Sequence, residues 1–438
     1  MPSSRTIGLL LTTVVALLPV QPQTFDLAIR DARLVHGDGR VTPRATVLIA
    51  GGRVRRIADR STARATRVID ARGRTLIPGL IDAHVHLEPW SLPLFLRYGV
   101  TTVRDVHNDP RFTLALAGED DVRGRPRVVA AGPLIDGPGS FWPDAVVVDD
   151  VGEARAAVRR LITDGAGVIK TYSRLPPSLL AVVVQEARAR GVPVAAHLGR
   201  TSAVEAAGLG VTSIEHLTGV PESASRDSAR LLGAHDGFFA GWTAFELAWP
   251  ALQEASLERV VRQLVDHQVV IVPTLALHEA YSRLADPDLQ ADPALRDVPR
   301  DVLARWDPLD LMRRARWDEG TLAGFNRALP ALQRFVAMYA RAGGRIAAGT
   351  DSAQQFVVPG ASLHRELELY VGAGLSPHAA LQAATSEAAD LLGLGGRLGT
   401  IVEGHDADLV LLDGDPLADI RATRRIAAVI QGGLEVRR

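Results

Sequence analysis

The chain has 438 residues, 47% of them hydrophobic, with 49 basic and 50 acidic side chains giving a formal charge of -1. That is enough apolar chain for one large α/β domain and a smaller one, and it excludes a disordered protein. The near-zero charge offers no field for capturing nucleic acid or an anionic membrane, so a small neutral or singly charged molecule is the expected partner.

Cysteine is absent, which rules out disulfides, thiolate ligands and a catalytic thiol. Of the basic residues, 48 are arginine and one is lysine, Lys170. Residues 1–22 read as a signal peptide: Arg5, then an apolar run from Ile7 to Val20, then Gln21-Pro22-Gln23. The run is short for a stable membrane span, so the expected location is periplasmic or secreted, with an uncleaved N-terminal anchor as the alternative.

From Phe25 to Ile69, short apolar runs alternate with turn residues such as Gly37-Asp38-Gly39 and Gly51-Gly52, the pattern of antiparallel strands. The tail repeats it, with Ala407–Leu412, then Gly414-Asp415-Pro416, then Ile426–Ile430. Neither end has enough strands to bury a core, so residues 23–76 and 400–438 are expected to form one composite β-sandwich. Between them, residues 77–399 carry eight strand-like runs: one ending at His86, then Val100–Arg104, Arg127–Leu134, Gly167–Tyr172, Val192–His197, Val211–His216, Val269–Leu275 and Arg345–Asp351. Helical patterns lie between them, among them Glu153–Thr163, Pro177–Arg190 and Leu322–Arg341. This alternation predicts a (β/α)₈ TIM barrel. Two connections, 217–268 and 276–344, are long, and the second is expected to fold into helices over the barrel mouth.

The C-terminal ends of barrel strands converge on one site. Reading them in order gives His84 and His86, whose alternate spacing puts both on one strand face, then Lys170, His197, His216 and Asp351. Singly, each has a bland explanation: a satisfied polar strand end, a solvated lysine, or a turn at Gly349-Thr350-Asp351. Together they predict a metal site. A protonated lysine is no ligand, but a neutral amine takes up carbon dioxide to become a carbamate, which arginine, always protonated, cannot do. Carboxylated Lys170 can bridge two divalent ions, with His84, His86 and Asp351 on one and His197 and His216 on the other. Nitrogen and oxygen donors without thiolates suit zinc best.

With these residues in place, the chain resembles the amidohydrolase superfamily, in particular its binuclear branch with a carboxylated lysine. The motifs are His84-Val-His86, Val-Ile-Lys170, His197, Ser-Ile-Glu-His216 and Gly-Thr-Asp351. Among its branches the chain is most similar to the imidazolonepropionase-related group of prolidase-like dipeptidases and N-acyl-amino-acid hydrolases. Lys170 argues against imidazolonepropionase activity itself, which is mononuclear. His197-Leu-Gly-Arg200 departs from the His-x-x-Glu usual in deaminase branches. The resemblance implies metal-dependent hydrolysis of an amide or peptide C–N bond, with Asp351 moving the proton. Lactone or ester hydrolysis by the same ligands and a non-catalytic binding role are the alternatives. Beyond Lys170, Tyr172 is expected to face the cavity and, with Arg174 in the following loop, to hold the free carboxylate of a dipeptide or N-acyl amino acid.

Overall fold

The computed structural model describes residues 24–119 and 122–437, so the expected signal peptide lies outside the described residues. Five strands come first: β1 (Phe25–Val35), β2 (Val41–Ala50), β3 (Arg53–Ala58), β4 (Ala65–Asp70) and β5 (Thr75–Pro78). β1 runs antiparallel to β2 and parallel to both β4 and β5, meeting β4 with its first half and β5 with its second. The changeover falls at an irregularity where Asp31 adopts a φ of 62°.

The strand–helix region begins with β6 (Leu80–Val85), β7 (Val100–Asp105) and β8 (Arg127–Ala130), which form one parallel sheet. A second parallel sheet holds β9 (Ile135–Asp136), β10 (Val146–Val147), β11 (Ile169–Thr171), β12 (Val194–Ala196), β13 (Ser213–Glu215), β14 (Val270–Val272) and β15 (Arg345–Ile346). Each of the eight expected runs contains a strand; β9 and β10 are additional two-residue strands in the loop after β8. Backbone hydrogen bonds also run between the two sheet regions, from Gly167 N–H to the Ala130 carbonyl (2.9 Å) and from Ala83 N–H to the Ala348 carbonyl (2.8 Å).

The helices show why they form where they do. Val151–Thr163 starts at Asp150, whose carboxylate accepts from the Glu153 N–H, and buries Ala154, Ala157, Val158 and Leu161 at helical spacing. Glu319–Arg341 starts at Asp318, capped in the same way by Thr321 N–H, and tolerates Pro330 within it. The helices Pro177–Arg188 and Val151–Thr163 match the sequence expectation to within two residues at each end.

The last three strands, β16 (Leu409–Leu412), β17 (Ile426–Gln431) and β18 (Leu434–Arg437), return to the first five. β16 pairs antiparallel with β5, Leu409 opposite Pro78, giving one hydrogen-bonded eight-stranded sheet in the order β18-β17-β16-β5-β1-β2-β3, with β4 on β1. A separate apolar cluster draws on both chain ends, including Leu27, Ile29, Val47 and Leu76 with Leu409, Leu411 and Ile430. The expected union of the two ends is thus present, as a single continuous sheet. Among the described residues, no helix is long and apolar enough to cross a membrane.

Candidate active site

β6 delivers His84 from its interior and His86 from the residue just past its end, both on the same side. Each ring is tied by Nδ1. His84 Nδ1 meets Glu215 Oε2 at 2.5 Å, His86 Nδ1 meets the His107 carbonyl at 3.1 Å, and His216 Nδ1 meets Thr274 Oγ1 at 2.8 Å. A carbonyl only accepts, and so does an ionised carboxylate, so in His84 and His86 the proton sits on Nδ1 and the Nε2 lone pair is left to the site. Such outer tethers fix tautomer and ring direction in metal-binding histidines.

The inward atoms converge on Asp351. Its Oδ1 lies 2.9 Å from His86 Nε2 and 3.4 Å from His84 Nε2, yet it is buried without an aligned hydrogen-bond donor. Ligand atoms of His84, His216 and Asp351 all lie within 4.8 Å of one another. Lone pairs gathered this closely require a proton or a cation among them, and the donor set fits a divalent metal. His197 joins them, its ring 5.0 Å from that of His216, and Lys170, 2% exposed, lines the same cavity. The structure therefore brings together all six residues expected at the strand ends. His216, Thr274 and Asp351 all have positive φ, 58°, 51° and 64°, a conformation that non-glycine residues adopt at a cost and that clusters at functional sites.

Sequence reasoning missed the supports beneath. Arg104 Nη2 donates to both Glu215 oxygens at 2.9 Å, Ser213 Oγ donates to Oε1 at 2.6 Å, and both ionic partners are fully buried. Burial alone would raise the Glu215 pKa, but Arg104 and His84 hold it below the usual carboxylate range. Asp82 accepts from Thr350 N–H and Oγ1 at 3.0 and 2.7 Å and so pins the turn that carries Asp351. Burial pushes Asp82 up to about 7 and Lys170 down to about 8. The available signal was a charge inside an apolar strand run: Arg104 in β7, Glu215 in β13 and Asp82 in β6.

The six strand-end residues line the floor of a cavity of about 230 Å³. Tyr172 lines it as expected, its ring 4.3 Å from His197. Arg174 does not. Its Nε donates to the Pro138 carbonyl and its Nη1 to the Asp236 carbonyl, each at 3.0 Å, and its guanidinium lies over Phe141, so it ties two loops together outside the lining. The arginine that lines the cavity is Arg314, from the helix Pro308–Ala315 in the second long excursion, which covers the mouth as expected. His107 also lines it, and burial pushes its ring down to about 4.

The amidohydrolase family model matches residues 75–436, and the chain belongs to the amidohydrolase family. Among curated relatives, an adenine deaminase of Deinococcus radiodurans is 46% identical over 63 residues, covering 14% of this chain and 12% of the relative. An N-acyl-D-aspartate deacylase of Alcaligenes xylosoxydans xylosoxydans is 29% identical over 195 residues, 36% of this chain and 39% of the relative. The matched segments thus span well under half of those relatives' lengths. A solved Xaa-Pro dipeptidase with bound methionine aligns over 93% of this chain and 99% of its own, with TM-score 0.67 and 22% identity. A prolidase complexed with N-methylphosphonate-L-proline covers 94% and 99%, with TM-score 0.68 and 23% identity. At such identities these two likenesses establish the fold alone, which is the TIM-barrel type of the family.

Proposed function

We propose that the protein is a binuclear metal-dependent hydrolase of amide or peptide C–N bonds in small substrates, namely dipeptides or N-acyl amino acids. The observation that carries this is the convergence of the tethered histidines on Asp351, whose buried Oδ1 has no aligned donor. His84, His86 and Asp351 would hold one divalent ion and His197 and His216 a second, with carboxylated Lys170 between them; zinc suits these donors. Bound there, the metals supply Lewis acidity, which polarises an amide carbonyl and acidifies water.

The chain's own groups do the rest. Asp351, 6% exposed, would be ionised: burial and the facing Nε2 lone pairs oppose this, and a divalent cation held among them would favour the carboxylate. It would take the proton of the attacking water and return it to the departing amine. Tyr172 supports His197 through ring contact and closes the cavity beside Lys170. Arg314 would replace Arg174 as the group that holds a substrate carboxylate, since it is the arginine on the lining. The two parallel sheets belong to this reading as one closed (β/α)₈ barrel, supported by the hydrogen bonds between the two sheet regions. Export by residues 1–22 completes it.

The test is a turnover comparison on zinc-loaded protein, with a panel of dipeptides and N-acyl amino acids against esters and lactones of similar size. Amide hydrolysis exceeding that of the lactones is the expected result. Turnover confined to lactones or esters would transfer the site to the alternative chemistry, and no turnover at all would leave a binding role.

A further inference from the structure

Aromatic residues make up 5% of the chain, yet seven of the cavity's lining residues are aromatic. Six of these form a continuous belt. From His107, whose ring is 5.4 Å from that of Trp142, it passes to Phe238 (6.1 Å), Phe239 (4.9 Å), Trp317 (5.8 Å), Tyr281 (5.7 Å) and Trp242 (6.0 Å), ending 6.1 Å from the His216 ring. The rings meet at steep angles, between 57° and 83°, so edges brace faces and the belt forms a wall instead of collapsing into a filled stack.

Its members come from separate stretches of chain: the loop after β9, the helix Phe238–Ala248, the helix Leu275–Ser282 and the turn before Glu319. Ordinary core packing accounts for much of this, as Trp317 shares an apolar cluster with Leu277 and Leu311, and Phe239, Trp242 and Tyr281 pack against it. It does not account for Phe238, 38% exposed at the mouth, or for buried polar atoms on lining residues that have no hydrogen-bond partner within the protein, among them Trp242 Nε1 and Gln355 Oε1. Water or the polar atoms of a ligand satisfy such groups.

We infer that the substrate carries a planar aromatic group, held within the belt between the metal ligands and the cavity mouth. This rests on the amide-hydrolase reading and names the substrate class for it. The dimensions agree: an apolar cavity of roughly 150 Å³ takes up a benzene ring, and the about 230 Å³ here leaves room for an amide beside the ring. Indole and phenyl rings select another ring over an aliphatic group of equal size by roughly twofold to tenfold, and burying it gains more over a methyl group.

The test uses the full zinc-loaded chain with N-acetylphenylalanine, N-(3-phenylpropionyl)alanine and N-acetylalanine. Binding of 3-phenylpropionate and of propionate is followed in parallel by tryptophan fluorescence. At least one phenyl substrate should exceed N-acetylalanine tenfold or more in kcat/KM, and which one does so places the ring on the amine or the acyl side. 3-Phenylpropionate should quench saturably and propionate should not. The phenyl-to-alanine ratio should fall in Phe238→Ala and in Trp317→Leu; if the latter fails to fold, exposed Phe238 decides. Equal kcat/KM for all three substrates, or an undiminished ratio in Phe238→Ala, would overturn the inference while amide hydrolysis stands. Selective quenching by 3-phenylpropionate without cleavage of any amide would instead retain the belt and remove the amide reading. Absence of quenching and of a phenyl preference overturns the belt.

Discussion

Carbon dioxide adds only to a neutral amine, and burial pushes Lys170 from 10.5 down to about 8. A lysine pKa lowered in the folded chain makes the neutral fraction rise as pH passes about 8, well below the value for an exposed side chain. Metal-stripped protein given zinc and bicarbonate should therefore recover activity faster at pH 8.5 than at pH 6.5, as followed by a time course of turnover. Rates independent of pH would contradict carboxylation, as would full recovery in Lys170→Arg. The linkage has the same sign: the unfolded chain binds the extra proton between about 8 and 10.5, so the uncarboxylated chain gains stability from this group as pH rises through that window. Lys170 was legible in the sequence because it is the one lysine among 48 arginines. Arg174 shows the limit of such reading. Among so many arginines nothing local distinguishes one that ties loops from one that lines a cavity, and the carbonyls of Pro138 and Asp236 that engage Arg174 belong to distant segments.

At the scale of elements, the eight strand-like runs and the residues at their ends were readable because strand alternation and apolar runs are local signals. The supports were not. Arg104 and Glu215 are 111 residues apart, and Asp82 and Thr350 are 268 apart, so only the closing of strands side by side reveals them. The belt is equally non-local, drawn from both long excursions and the loop after β9. Arg314 belongs to the covering helix Pro308–Ala315, where its Nε donates to Asp310 at 2.8 Å and the side chain remains about half exposed. A charge-assisted hydrogen bond to substrate contributes about 1.5–3 kcal/mol, so Arg314→Ala should lower kcat/KM roughly 10- to 100-fold for a free-acid dipeptide, mainly through KM. Its C-terminal amide should be affected much less. Equal losses for acid and amide would mean that Arg314 holds the helix and not the carboxylate.

For the whole molecule, both ends of the chain complete one sheet, and the antiparallel pairing of β5 with β16 sets the first and last barrel connections beside each other. The sequence pattern disclosed that union, since neither end had strands enough alone. It did not disclose that the strands would join edge to edge in a single hydrogen-bonded sheet, because facing layers and adjacent edges share the same alternation. The central proposal for the whole fold is a binuclear metal site above β6, β11, β12, β13 and β15. The most direct test of it is a zinc titration of chelator-stripped protein, with bound metal counted by elemental analysis and turnover of an N-acyl amino acid measured on the same samples. Activity should be absent from the stripped chain and reach its plateau at two zinc ions per chain, with Lys170→Ala falling short of both. Full turnover without metal, or a plateau at one ion that Lys170→Ala also reaches, would contradict the binuclear account.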